Sequence, residues 1–219
     1  MDLRIDEGWR RFIANYWGNV THIDRSIGAI LKTLEELGLA EHTIVVHTAD
    51  HGEMLGSHSM TQKSVMYEQA VKVPWLIRAP RFGKKQRIVK GRFSHIDLLP
   101  TMLDLMGRPM PGRFPGKSLL SAIQRGELAE PVLIEWNPDP PSKEEMQSPL
   151  FPPEVVRKAF SVSIRTVITP DGWKHLQSDP WEMKNLFYSG RHGEEISQLT
   201  KRIHEWQREV KDTVTVNPA

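Results

Sequence analysis

The stretch Thr43-Ile44-Val45-Val46-His47-Thr48 constrains the fold most, because every residue in it except His47 is β-branched. So unbroken a run suits a strand buried on both faces of a parallel sheet, ending at Ala49. Asp50, His51, Gly52 and Glu53 follow at once. In open α/β sheets ligands settle in the crevice beyond the carboxyl ends of the strands, so chemistry is expected here first.

The segment before the strand has the three-and-four apolar spacing of an amphipathic helix from Gly8 to Leu37, with Gly38 as its left-handed stop. Helix feeding strand is the step of a doubly wound sheet. Downstream, the sequence predicts a short helix over Ser64–Ala70, a strand over Val73–Ala79 and a helix over His95–Met106 stopped by Gly107. Ser118 is placed to cap a helix running through Gln124, and Val132–Trp136 reads as a strand. Prolines crowd the stretch from Asn137 to Glu154, where an extended excursion is expected instead of regular structure. Strands over Ser161–Ile168 and Trp173–Gln177 are expected to form a hairpin around Thr169-Pro170-Asp171-Gly172, followed by a helix over His192–Lys211. A composition shift near Gly126 divides the chain into an α/β part, 1–126, and a small α+β part, 127–219, whose antiparallel sheet is covered by the last helix.

Composition narrows the function classes. No apolar run approaches the ~20 residues of a membrane helix, and the amino terminus lacks an apolar signal-peptide core, so a soluble segment is expected. The absence of cysteine excludes disulfides and thiolate metal sites and leaves the compartment open. A net charge of +2 gives no case for nucleic acid as a partner. The basic stretch Arg78–Arg92 is read as a solvated loop, against an anion-binding patch.

Asp50 and His51 are a hard oxygen donor and an imidazole, and a divalent cation uses both if the backbone turns at Gly52. The competing reading is an Asp that caps a turn beside a His held by hydrogen bonds. Lys63 is placed to hold a tetrahedral anion or else to stand in solvent, and His58 to face the pocket or serve the structure. Asp97 and Asp104, seven apart on one predicted helix, are read as a capping and a structural carboxylate. A Gly-x-Ser-x-Gly elbow, His-Glu-x-x-His and a Gly-rich phosphate loop are all missing.

Several ordered motifs together resemble the sulfatases of the alkaline phosphatase superfamily. They are Tyr16-Trp17-Gly18-Asn19 with His22-Ile23-Asp24; Thr48-Ala49-Asp50-His51-Gly52-Glu53; Gln62-Lys63 with Met66-Tyr67-Glu68; and Val73-Pro74-Trp75-Leu76-Ile77. Ser94-His95-Ile96-Asp97-Leu98-Leu99-Pro100-Thr101, Gly116-Lys117-Ser118-Leu119, Arg165-Thr166 and Asp179-Pro180 continue the series. The resemblance implies an α/β fold: part of an alkaline-phosphatase-like parallel sheet with flanking helices, plus the small carboxyl-terminal antiparallel sheet. It implies hydrolysis of a sulfate ester, with Asp50 and His51 binding a divalent cation and Lys63 binding the sulfate group. Calcium is the first expectation for that cation, magnesium and manganese the alternatives. The implied substrate is a sulfate-ester small molecule or a sulfated glycan, with neither nucleic acid nor membrane as partner.

The family's nucleophile is a formylglycine made within Cys/Ser-x-Pro-x-Arg, and no such motif occurs in these 219 residues. The paired aspartates expected as further metal ligands are missing as well. The resemblance therefore implies the carboxyl-terminal portion of a sulfatase, inactive as an isolated chain. The alternatives are a phosphonate monoester or phosphodiester hydrolase of the same superfamily and a catalytically inactive truncated module.

Overall fold

A computed structural model describes residues 2–61, 63–83, 85–140, 143, 152–170, 179 and 181–216. Its helices and strands run α1 Asp6–Glu36, β1 Val45–Thr48, α2 Glu68–Val71, β2 Trp75–Arg78, α3 Leu98–Leu105, α4 Leu120–Arg125, β3 Val132–Trp136, α5 Pro153–Ala159, β4 Ile164–Ile168 and α6 Gly193–Val210. The class is α/β, and the chain forms two compact units, one of residues 1–85 and 139–161, the other of residues 86–138 and 162–219.

In the first unit α1 ends as its sequence dictates. Gly38 takes φ +69, and the Leu39 amide donates to the Leu34 carbonyl at 2.9 Å. That closes carbonyls which the last turn leaves without a partner. The strand read over Thr43–Ala49 is β1, but its partner is antiparallel: Val45 lies opposite Arg78 and Thr48 opposite Trp75. An apolar run reports burial and says nothing of strand direction. Among its described residues the β1–β2 connection holds the four-residue α2 and a single 3-10 turn at Ser57–Ser59, without a helix long enough to carry a parallel crossover over a sheet face. All four residues of β1 are half-buried.

The helix expected over Ser64–Ala70 shrinks to α2, because Ser64 adopts φ +87 and Tyr67 is extended. Within the proline-crowded stretch, residues 141–142 and 144–151 lie outside the described residues. Its end is helical instead of extended: Pro153 opens α5, where a fixed φ and a missing N–H cost nothing. Val156 of this helix is buried.

In the second unit Asp97 builds a capping box with Ser94, and its other carboxylate oxygen accepts the Lys117 amide at 3.0 Å. Thr101, fully buried, donates to the Asp97 carbonyl and accepts the Leu119 amide at 3.0 Å. Asp104 accepts the Ser118 hydroxyl. Both carboxylates are thus structural, and they tie α3 to the segment entering α4. β3 and β4 pair antiparallel from Val132 opposite Ile168 to Trp136 opposite Ile164, and α6 packs on β4. The expected second hairpin strand, Trp173–Gln177, lies outside the described residues. Arg165 on β4 makes a two-pronged bond to Asp212, with Nε to Oδ2 at 2.7 Å and Nη2 to Oδ1 at 2.9 Å, fixing the end of α6 to the sheet. No described helix is long and apolar enough to cross a membrane.

Candidate functional site

The chain leaves β1 at Thr48 and turns sharply at Gly52. There the Gly52 amide donates to the Ala70 carbonyl at 2.7 Å and the Glu53 amide to the Gln69 carbonyl at 3.0 Å. A Cβ on Gly52 would run into the Gln69 carbonyl, so only glycine lets the two backbones approach this closely. This clamp ties the strand end to α2. Met54, 1% exposed, anchors the next residues in the core.

Asp50 and His51 are brought together ahead of the clamp. The Asp50 Oδ1 accepts the His51 amide at 3.0 Å, and its Oδ2 lies 3.3 Å from His51 Nε2. His51 Nδ1 stands 2.7 Å from the Gly52 carbonyl. A carbonyl only accepts, so Nδ1 carries the proton and, in the neutral ring, Nε2 presents its lone pair. Two electron-pair donors then converge, a carboxylate oxygen and an imidazole nitrogen, an arrangement that a cation shared between them favours. The Asp50 side chain is 85% exposed, leaving its oxygens open to such a partner. A backbone carbonyl that fixes the tautomer of a ligating histidine is the usual arrangement around metals. These two donors fit one corner of a divalent-cation site. No group of three or more candidate ligands occurs among the described residues.

From Leu55 to Ser64 the loop winds through left-handed backbone, with φ of +47 at Leu55, +53 at His58, +58 at Ser59 and +87 at Ser64. Each such non-glycine residue costs of order 1–3 kcal/mol and persists only where the surroundings enforce it. Here hydrogen bonds do so: Ser57 amide to Met54 carbonyl at 2.8 Å, Gly56 amide to Met60 carbonyl at 2.9 Å and Met60 amide to Ser57 carbonyl at 3.0 Å. The His58 ring stacks on Tyr67 with centroids 3.9 Å apart, and its Nε2 is buried without a hydrogen-bond partner in the structure. Lys63 is exposed on the same loop. Among the described residues no hydrogen bond or ion pair joins Lys63 or His58 to the Asp50–His51 pair. Tyr67 is the member of this loop that residue spacing did not single out. Its contact with His58 exists only because of the left-handed path between them, which no local pattern encodes.

A family model described as Sulfatase matches residues 4–108. The chain is similar to the N-acetylglucosamine-6-O-sulfatase of Bacteroides thetaiotaomicron, 27% identical over 93% of this chain and 37% of the relative. It is 37% identical to Arylsulfatase K of Canis lupus familiaris over 79% of this chain and 33% of the relative. Among solved structures, a putative sulfatase from Bacteroides thetaiotaomicron matches 98% of this chain and 47% of its own at a TM-score of 0.76 and 24% identity. The phosphonate monoester hydrolase of Silicibacter pomeroyi matches 86% of this chain and 39% of its own, with a TM-score of 0.63 and 27% identity. The chain thus spans between a third and just under a half of the length of these relatives.

Proposed function

The chain carries a sulfatase-family segment over residues 4–108, and from that premise we propose that its Asp50–Lys63 stretch is the metal- and sulfate-binding part of a sulfuric ester hydrolase. The observation that carries this reading is the convergence of Asp50 Oδ2 and His51 Nε2 at the end of β1, with the His51 ring locked by the Gly52 carbonyl. Asp50 and His51 supply two donors to a divalent cation. Calcium comes first, magnesium and manganese next, and calcium takes six to eight oxygen ligands in all. Lys63, exposed on the strained loop, holds the sulfate oxygens as a point charge. His58 shapes that loop by stacking on Tyr67.

When bound, the cation supplies Lewis-acid stabilisation of charge on the ester oxygens, and a formylglycine supplied by sequence outside these 219 residues supplies the nucleophile. The substrate is a sulfate-ester small molecule or a sulfated sugar, a reading supported by the N-acetylglucosamine-6-O-sulfatase among the relatives.

The phosphonate monoester hydrolase among the structural neighbours favours a second reading, because the same cation and lysine suit a phosphonate oxyanion. A paired assay with a sulfate ester and a phosphonate monoester of one leaving group, on the complete protein that contains this segment, separates the two. Faster sulfate turnover is expected, with Lys63→Ala lowering kcat/KM by about 10²-fold or more. Preferred phosphonate turnover would replace the leading reading. The isolated 219-residue chain is expected to show no turnover above buffer, and turnover that Lys63→Ala abolishes would contradict that.

A further inference from the structure

The last helix carries Lys201, His204 and Arg208 at intervals of three and four residues, which places them in one stripe along one face, and Lys211 follows as the helix's left-handed C-cap. At ~1.5 Å per residue the helical part of the stripe, from Lys201 to Arg208, is about 10 Å long. Two open concavities lie along it. One, of about 640 Å³, is lined by Phe187, Tyr188, Lys201, His204 and Arg208 among others. The other, of about 480 Å³, shares His204 and Arg208 and adds Lys211 and Asp212. Together they form one trough with basic groups along its length.

Basic groups outnumber acids among the described lining residues, with Lys201, His204, Arg208 and Lys211 against Asp212. Asp212 is the one acid among the lining residues, and its two oxygens are taken by Arg165 and by Gln207 at 2.9 Å. Lys201 meets Glu205 at 4.0 Å, an exposed pair of small worth. His204 and Arg208 make no ion pair among the described residues. At the far end the Phe187 and Tyr188 rings meet edge to face with centroids 5.1 Å apart, and Tyr188 is 83% exposed. A large aromatic face left bare beside cations offers an apolar platform for a sugar ring, while the cations take anionic substituents. Successive basic groups stand about 4.5–6 Å apart along the axis, a spacing for discrete anions on a chain. The net charge of +2 gives no broad field for a nucleic acid.

We propose that the trough formed by Phe187, Tyr188, Lys201, His204, Arg208 and Lys211 is an accessory carbohydrate site for a sulfated oligosaccharide. The choice of sulfate as the anion rests on the sulfatase reading, but no residue of the Asp50–Lys63 segment takes part in the trough.

The test is a calorimetric titration of the 219-residue chain with a sulfated hexasaccharide, its desulfated counterpart and a single-stranded DNA of equal charge. The sulfated sugar is expected to bind, and the double variant Lys201→Ala/Arg208→Ala to weaken it by about tenfold. Tyr188→Ala is expected to weaken it severalfold, whereas Lys85→Ala/Arg87→Ala leaves it unchanged. All of these side chains are exposed, and an unchanged melting temperature confirms that each variant folds. Repeating the titration in an Asp50→Ala/Lys63→Ala background removes any binding at the proposed catalytic site, and the Lys201/Arg208-dependent binding is expected to remain there, so the trough stands or falls apart from the catalytic reading. The proposal is overturned by the absence of binding, by equal affinity for the desulfated sugar or the DNA, or by loss of binding in the Lys85/Arg87 variant instead.

Discussion

Gly52 shows how a single residue sets the site. With a backbone carbonyl already in the space a Cβ would need, Gly52→Ala must open the clamp between the strand end and α2. A loss of about 1–3 kcal/mol is expected in urea denaturation, as for other overpacked positions; an unchanged midpoint would show that the clamp yields freely. Asp212 makes a different prediction. Hydrogen bonds from Arg165 first and Gln207 second hold its carboxyl well below the usual carboxylate range. A carboxyl depressed by folding stabilises the folded state fully above its unfolded value near 3.9, and that stability is lost as pH falls from there toward the folded value. Thermal melts between pH 7 and 2 are expected to show this loss. Asp212→Asn should lower the melting temperature at pH 7 and flatten the acid limb, and an acid limb unchanged by the substitution would contradict the assignment. Legibility differs sharply at this scale. Asp50, His51 and Gly52 are adjacent and visible in the sequence as a possible ligand turn, whereas Arg165 and Asp212 stand far apart, and only the packing of α6 on β4 brings them together.

At the scale of elements, apolar spacing located α1, α3 and α6 and the strands β1 to β4 within a few residues, because periodicity reports which face is buried. Strand direction escaped it for the same reason, and β1 proved antiparallel to β2. The helix α5 escaped because prolines were read as breakers, although Pro153 stands at the one helical position that tolerates it. Periodicity also overstated what α1 buries. Trp17, Ile23 and Ile30 are each more than half exposed, and Gly8 is the one buried residue of the helix. Ile23→Ala and Ile30→Ala are therefore expected to change the stability of this chain by no more than ~0.5 kcal/mol. Leu105→Ala, at a position 4% exposed within α3, is expected to cost about 2–5 kcal/mol. Chemical denaturation of the three variants checks the contrast, and a large loss at Ile23 or Ile30 would mean that α1 is covered in solution.

Across the whole molecule, the likeness to the sulfatases was legible because several short motifs, each weak alone, recur in one order from Tyr16 to Asp179. The matched family segment, residues 4–108, covers the ones nearest the candidate site. Much less legible was the path of the Leu55–Ser64 loop, whose left-handed turns at non-glycine residues depend on hydrogen bonds and on Met54 in the core. In the proposed reading, the β1 end holds a divalent cation through Asp50 and His51. Manganese titrated into the isotope-labelled chain tests it most directly, since paramagnetic broadening of NMR signals reports even weak binding by two donors. The Asp50 and His51 signals are expected to broaden first, a chelator to restore them, and His51→Ala to remove the effect. Broadening confined to other carboxylates, with Asp50 and His51 untouched, would contradict it.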